Sequence, residues 1–333
     1  MTSDLRPPTT DPLACSCRIA RLLMRLIRHI HSGSMTRAHC ALAIGNFDGL
    51  HRGHQALVRS VCARSDALTP SLMCFEPMPA SFFRPDQPVP RLSSVRDKLQ
   101  LCRAHGLEQV FMPRFDASFA ALSPECFVAD VLVRGAGARL VVVGEDFRFG
   151  ARAAGDVNRL AELGRIHGFD VEVQPAVIDA GERISSSGIR AALAAGDLAR
   201  VRRWLGRRYS ISGRVRRGQA LGRTLDYPTI NLRPPLPPAL SGVFAVRVSG
   251  AGLDQHPAVA NLGQRPTIGA SGWLLEAHLF DYDGHLYGQH VTIKFIEWLR
   301  PETRFASLDE MKAQMEQDAA RARRILQDQN RNQ

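Results

Sequence analysis

The chain has no CxxC pair, no zinc-like Cys/His cluster and no uninterrupted apolar run of membrane length, and each gap removes a class of protein. Its seven cysteines, Cys15, Cys17, Cys40, Cys62, Cys74, Cys102 and Cys126, all fall in the first half of the 333 residues. An odd, scattered set with no credible signal peptide predicts reduced thiols in the cytoplasm that serve as packing residues. The stretch ARLLMRLIRHIHSG is interrupted by Arg21, Arg25 and Arg28. It therefore supplies neither the roughly 20 apolar residues of a membrane span nor the core of a signal peptide. Internal repeats are lacking too, and RPPLPPAL is the one low-complexity piece.

What the chain does have is 45% apolar residues and a formal net charge of +11. The apolar share supports packed cores, and the length favours two domains over one. A basic balance can mark a nucleic-acid surface, which needs clustered Lys and Arg. Here arginine is spread along the chain, with short runs only at RVRRWLGRR, GRVRRG and RARR. Affinity for phosphorylated small molecules is expected; nucleic acid and membrane are not, and oligomeric state is left open.

Residues 1–23, which contain RPPTTDP, read as a disordered extension. From about residue 40 to 200, short apolar runs alternate with helical patterns, as in ALAIGNF, HQALVRSVCARS, SLMCFEP and VRDKLQLCRAHG. That alternation predicts an α/β architecture, a parallel sheet covered by helices, over residues 24–204. After Leu205 come short alternating runs cut by Gly, Pro and Asp turns, such as GVFAVRVSG, which predict an antiparallel β-barrel or sandwich over 205–333. Ser307 and Glu310 have capping-box spacing, and Leu308, Met311 and Met315 share a face, so a terminal helix packed on the barrel is expected.

The stretch AIGNFDGLHRGHQALV, residues 43–58, carries dense chemistry. A strand leaving a parallel sheet at its carboxyl end delivers its loop to where such sheets bind ligands. Gly45, Gly49 and Gly53 let backbone approach closely. His51 and His54, three apart, share one helical face at a helix start whose free N–H groups attract anions. Two imidazoles there would clamp a phosphate, which favours their protonated forms. A bare HxxH, though, is more often ordinary polar surface, and as a metal site it lacks further ligands.

The longer pattern GxFDGxHxGH is more specific. It resembles the nucleotidyltransferase superfamily, whose HxGH motif holds the phosphates of a nucleoside triphosphate. With FDG before it, the stretch is similar to the adenylyltransferase module of bacterial bifunctional riboflavin kinase and FAD synthetase. FEPMPASFF (75–83), VVVGEDFRFG (141–150) and ISSSGIR (184–190) fit that module in order.

The resemblance implies a Rossmann-like nucleotidyltransferase domain in which Gly45, Phe47, Asp48, Gly49, His51, His54, Asp146, Ser185, Ser186, Ser187 and Arg190 hold ATP, with Phe75 on the flavin side. The serines offer hydroxyl and N–H groups at a helix start, and Arg190 a charge-assisted fork to polyphosphate. Asp146 would bind a ribose hydroxyl or orient a phosphate ligand. Two positions depart from relatives: Gly49, where those that make coenzyme A or NAD precursors usually carry Pro, and Met78, where many members carry His.

A second dense stretch is SGRVRRGQALGRTLDYPTINL, residues 212–232. Taken alone, Gly213, Gly218 and Gly222 could be barrel corners. In PTIN, Pro228 fixes the entry, and Thr229 and Asn231, two apart, face the same way on a strand. One hydroxyl and one amide carbonyl suit a magnesium ion that keeps part of its water. The pattern GxVxxGxxxGRxxxxPTxN, followed by GVFAVRV, ANLGQRPTIG, LEAHLFDYDGHLYGQHVTIKF and LRPETRF, resembles riboflavin kinase. Asp226 and Tyr227 replace its usual Gly-Phe, and Ile230 replaces a small residue.

This resemblance implies an antiparallel β-barrel kinase domain in which Gly213, Gly218, Gly222, Arg223, Thr229 and Asn231 bind ATP, and Thr229 and Asn231 hold Mg2+. Leu275, Ala277 and Leu279 occupy one strand face and Glu276 the other, where Glu276 would be general base on the riboflavin 5′-hydroxyl. Arg300 is a candidate to close over flavin or phosphates, and Asn261, Arg265 and Thr267 to shape the flavin side.

The resemblance covers residues 24 to about 320. It implies a cytoplasmic enzyme that phosphorylates riboflavin to FMN and adenylylates FMN to FAD, using ATP and Mg2+. Competing readings are a chain with only one working site, a flavin sensor without turnover, and an RNA-binding or aminoacyl-transfer protein. The last is suggested by charge and HxGH, but the chain has no KMSKS lysines.

Overall fold

The computed structural model describes residues 24–30, 39–217, 228–265 and 272–331. The expected extension at 1–23 lies outside them, as do Gly218, Gly222, Arg223, Asp226, Tyr227 and Thr267.

Six parallel strands build the first half: β1 (Arg25–Ile27), β2 (Cys40–Ile44), β3 (Thr69–Met73), β4 (Gln109–Phe111), β5 (Ala138–Gly144) and β6 (Asp170–Gln174). The connections form α1 (Arg52–Cys62), α2 (Pro79–Phe83), α3 (Val95–Ala104), α4 (Ala117–Ala120), α5 (Pro124–Cys126), which runs on as a π-helix through Gly135, and α6 (Val157–His167). Pleating sends Leu42, Ile44, Met73 and Val141 to one face, under Val128, Leu132 and Leu160. Ala41, Ala43, Leu72 and Val142 go to the other, under Val58, Val61 and Cys102. Burial on both faces is why the central strand β2 is a continuous apolar run with every residue buried.

Cys40, Cys74 and Cys102 are buried as packing residues, and burial pushes the Cys40 and Cys102 thiols up to about 12. Cys126 departs from that role: it is exposed, because α5 is a short surface turn.

The strand order β1-β4-β3-β2-β5-β6 sends the chain outward from β2 in one direction and then, through β5, in the other. The topological switch point therefore falls between β2 and β5, where ligands of open α/β sheets bind. The loop after β2 is Gly45–His51. A small hairpin, β7 (Ile178–Asp179) and β8 (Glu182–Arg183), then leads into α7 (Ser186–Ala194) and α8 (Leu198–Leu205), which ends at Gly206 with φ 70°.

The second half is a six-stranded antiparallel sheet of β9 (Ser210–Arg214), β10 (Thr229–Leu232), β11 (Gly242–Gly250), β12 (Leu253–Gln264), β13 (Trp273–Leu279) and β14 (His290–Arg300), in the order β10-β13-β12-β11-β14-β9. Its two outer strands meet just past β9, where the Arg216 N–H donates to the Asn231 carbonyl at 2.9 Å. That bridge curls the sheet into a barrel. The interior, with Phe244, Phe295, Leu275 and Leu262, is continuous with Trp204, Leu205, Ile189 and Leu193 of α7 and α8. The two halves thus share one buried apolar cluster.

The terminal helix α9 (Leu308–Arg331) begins on the expected cap, with the Glu310 N–H donating to Ser307 Oγ at 3.2 Å. Its buried face continues the expected one, on which Met311 and Met315 are half-buried. Asp318, Ala319, Ala322 and Leu326 are buried, while Leu308 is 68% exposed. The two alanines pack with Val243 and Ala245 of the sheet, and the first turn of the helix overhangs it.

Candidate functional site

At the switch point the chain turns through three left-handed residues, Phe47 (φ 47°), Gly49 (φ 80°) and Leu50 (φ 40°), before His51 caps α1. For Phe and Leu this conformation is unfavourable, so neighbours must hold it. Lys98 Nζ donates to the Asn46 carbonyl at 2.8 Å, the Gly49 N–H to Ser93 Oγ at 3.1 Å, and Gln55 Nε2 to the Leu50 carbonyl at 2.9 Å. Ser186 Oγ donates to the Asp48 carbonyl at 3.0 Å, which brings the starts of α1 and α7 together. Ser185 caps α7 through the Gly188 N–H at 3.1 Å, and Ser187 is exposed on its first turn.

The His51 and His54 rings stack with centroids 3.6 Å apart and planes 21° apart. His51 Nδ1 accepts the His54 N–H at 3.3 Å, leaving Nε2 as the protonated nitrogen of a neutral ring. His54 Nδ1 is buried without a partner. Gly53 leaves room for this stacking, since an added Cβ would lie 3.1 Å from the His51 ring and push it by a few tenths of an ångström. Burial lowers His51 to about 4 despite Asp48, and burial followed by His51 takes His54 well below the usual histidine range. The pair is therefore neutral in the ligand-free protein, and the cationic form expected on a bound phosphate would have to be induced by it.

Asp48 and Arg190 also occupy a different place from the one expected. Asp48 is 1% exposed. Its carboxylate accepts from the Leu92 and Ser93 N–H groups at 3.1 Å and from Arg190 Nη2 at 2.6 Å. Arg190 Nε donates to the Pro90 carbonyl at 2.7 Å. Its fork is thus taken by protein oxygens, and the pair braces the loop instead of facing open solvent. Asp146 is exposed at the end of β5 and pairs with Arg183 at 2.7 Å.

Phe75 lies among Phe115 and Phe119, at centroid distances of 5.9 and 5.5 Å, and Phe82 and Phe83 also meet Phe115. Phe83 is 64% exposed, which leaves an aromatic wall open to a planar ligand. Met78 is buried at the start of α2 as a packing residue.

In the barrel, strand register does the positioning. Asn231 stands opposite Glu276, and Glu276 opposite Asn261, so the three share one face. Thr229 stands opposite His278, whose Nδ1 lies 3.0 Å from the Pro228 carbonyl. Both amide carbonyl oxygens, Asn231 Oδ1 and Asn261 Oδ1, are buried without partners. Arg265 sits between two carboxylates, 3.5 Å from Glu276 and 3.2 Å from Glu302. Ile230 faces the other way, onto the apolar cluster, so its bulk fills core and not the polar row. Gly213 lies on β9 against Leu232. Arg300 does not close over this face: it grips Asp318 of α9 at 2.7 Å.

Hard oxygen ligands suit a divalent ion such as magnesium, and the buried, unpartnered Asn231 oxygen beside Thr229 fits one. Among the described residues no group of three or more His, Cys, Asp or Glu side chains gathers as a metal site, and no helix is long and apolar enough to cross a membrane.

An FAD synthetase family model matches residues 34–188 and a riboflavin kinase model residues 205–326. The chain is 43% identical over 308 residues to the bifunctional riboflavin kinase/FMN adenylyltransferase of Escherichia coli, across 91% of this chain and 98% of that one. The chain belongs to the bifunctional riboflavin kinase/FMN adenylyltransferase family. Relatives of the same description occur in Pseudomonas fluorescens, at 40% identity over 91% of this chain and 98% of that one, and in Haemophilus influenzae, at 37% over 90% and 98%. A crystal structure described as a macrolide-efflux protein from Streptococcus pneumoniae shares the fold with a TM-score of 0.75 at 26% identity, covering 89% of this chain and 97% of that one.

Against that family's two reactions, the sequence reading passed over several residues that the structure brings to the sites. Ser93 and Lys98 hold the nucleotide loop from more than forty residues away, a relationship no local motif carries. Glu302 lies two residues beyond Arg300 in LRPETRF and accepts from Asn261 Nδ2 at 3.2 Å. No local pattern links it to Asn261, forty-one residues earlier.

Proposed function

We propose that the chain converts riboflavin to FMN at the barrel site and FMN to FAD at the parallel-sheet site, using one ATP in each step. One observation carries this reading: a single chain presents both a stacked histidine pair at a helix start and a carboxylate set between two buried, unpartnered amide oxygens.

At the barrel site Glu276 takes the proton from the riboflavin 5′-hydroxyl as that oxygen attacks the γ-phosphorus of ATP in line. Asn261 and Arg265 orient the flavin side and keep Glu276 in place. Thr229 and Asn231 would hold Mg2+, which supplies charge neutralisation on the nucleotide phosphates. At the other site an FMN phosphate oxygen attacks the α-phosphorus of ATP and pyrophosphate leaves, with no covalent enzyme intermediate. His51, His54 and the starts of α1 and α7 hold the phosphates, so catalysis is positioning plus electrostatics. The open aromatic wall at Phe75 and Phe83 receives the flavin ring. A cytoplasmic setting belongs to this reading, supported by the scattered cysteines and the use of ATP in both steps.

The test is product analysis from riboflavin, ATP and Mg2+. FMN rising and then giving way to FAD is expected. FMN alone reduces the reading to a kinase, flavin binding without turnover to a sensor, and salt-sensitive RNA binding without flavin conversion overturns it.

A further inference from the structure

The loop that carries His51 is held by the chain that enters the barrel. Arg207 Nη2 donates to the Gly49 carbonyl at 2.8 Å, from 158 residues away in sequence. Beside it, Gln55 Nε2 is shared between the Leu50 carbonyl at 2.9 Å and the Leu205 carbonyl at 2.8 Å. Gly49 and Leu50 are two of the three left-handed residues of the loop. Leu205 and Arg207 open the segment matched by the riboflavin kinase model. The adenylyltransferase loop thus takes two of its supports from the first residues of the other module.

Arg207 is also a cation with carbonyl partners. Among the described residues no carboxylate lies within ion-pairing distance of it, and its other hydrogen bond goes to the Leu205 carbonyl at 3.4 Å. Burial brings its pKa down to about 10. Tyr209 and Asp97 act the other way without forming an ion pair with it, and a desolvated guanidinium with no paired carboxylate acts strongly on nearby charge.

We infer that Arg207 is a positioning residue for FMN adenylylation: it fixes the Gly49 carbonyl, and through it the His51 loop, while adding positive potential where the ATP phosphates bind. The inference rests on the two-site reading above. It makes the first site dependent on a residue outside the segment matched by the FAD synthetase model.

The charged groups acting on His51 are Asp48, which favours its cation, and Arg183, Arg190 and Arg207, which disfavour it; His54 stacks on it. Removing the Arg207 charge alone should therefore raise the pKa of His51, and restoring a charge should bring it back.

The experiment uses the full chain with Arg207→Met and Arg207→Lys. FMN adenylylation is followed by steady-state kinetics, riboflavin phosphorylation serves as the internal control, and His51 is titrated by NMR. For Arg207→Met, kcat for FAD formation should fall about 10- to 100-fold with KM for FMN and the kinase rate unchanged. His51 should titrate higher than in wild type. Arg207→Lys should recover part of the rate and the wild-type titration. The inference is overturned if Arg207→Met leaves FAD formation and the His51 titration unmoved, or if both activities and the melting temperature fall together and Lys rescues nothing. If wild type makes no FAD, the two-site reading fails instead, and the His51 titration still decides whether Arg207 acts on the loop.

Discussion

Asn231 and Glu276 stand opposite each other on neighbouring antiparallel strands, and the Asn231 side-chain oxygen is buried with no partner in the protein. A buried acceptor left unmade costs on the order of 1–3 kcal/mol. The fold keeps it here, one residue pair from the carboxylate that would deprotonate the substrate.

Asn231→Leu is expected to separate stability from activity. The apolar, similarly sized side chain removes an unsatisfied polar group, so the unfolding free energy from urea melts without ligands should hold or rise, by on the order of 1 kcal/mol. Riboflavin phosphorylation should be lost, and adding Mg2+ should no longer raise the melting temperature in the presence of ATP. A variant that is both less stable and fully active would show that the oxygen is not a metal ligand.

Breaking the Asp48–Arg190 pair should act mainly on the fold of the first site. Asp48 is 1% exposed, so Arg190→Ala leaves a buried carboxylate with only the Leu92 and Ser93 N–H groups and the Ser93 hydroxyl as donors, and no countercharge. Removing one partner of such a pair costs about 3 kcal/mol. Denaturant unfolding should show that loss. FAD formation should fail at temperatures where the barrel still phosphorylates riboflavin.

Much of this was legible in the sequence, for a physical reason. Parallel strands buried on both faces read as continuous apolar runs, and barrel strands with one polar face alternate, so β2 and β13 announce their types locally. Glu276 could be placed on the polar face because Leu275, Ala277 and Leu279 leave it no other. What local pattern could not supply was occupancy. Arg190 was expected to fork a polyphosphate and Arg300 was a candidate to close over flavin or phosphates, yet each is engaged by a carboxylate elsewhere in the chain, Asp48 or Asp318. On α9 the face was legible but its depth was not: Met311 and Met315 are half-buried and Leu308 is exposed, while full burial falls further along, on Ala319, Ala322 and Leu326.

Acid should weaken the nucleotide-free protein through the histidine pair. Both folded-state pKa values lie below the unfolded value, His51 at about 4 through burial and His54 also well down, through burial and then His51. Between pH 6.5 and 4 the unfolded chain therefore binds more protons than the folded one, and stability falls as pH falls. Above the unfolded value near 6.5 this contribution is fully present. Thermal melts from pH 7 to 4.5 should show a drop in wild type that is shallower in His54→Asn. Equal slopes would place the acid sensitivity elsewhere.

Arg300→Gln should loosen α9 without touching the flavin. Arg300 donates to both oxygens of Asp318, which is 7% exposed and keeps only Gln314 at 3.0 Å when the guanidinium is gone. Stability should drop by about 3 kcal/mol or less, with KM for riboflavin unchanged. A raised KM at wild-type stability would return Arg300 to the flavin site.

The two reactions should be separable by single substitutions, because their reacting groups belong to different sheets. His54→Ala removes one ring of the stacked pair and leaves every residue of the barrel row in place, so riboflavin should still become FMN while FAD formation is lost. Glu276→Ala removes the carboxylate between Asn231 and Asn261 and leaves the Gly45–His51 loop intact. That variant should fail to phosphorylate riboflavin yet still make FAD when supplied with FMN. Chromatography of the flavin products from each substrate reads all four combinations. Glu276→Ala forming FMN at the wild-type rate would deny Glu276 its role as base, and His54→Ala forming FAD normally would leave the imidazole pair as packing.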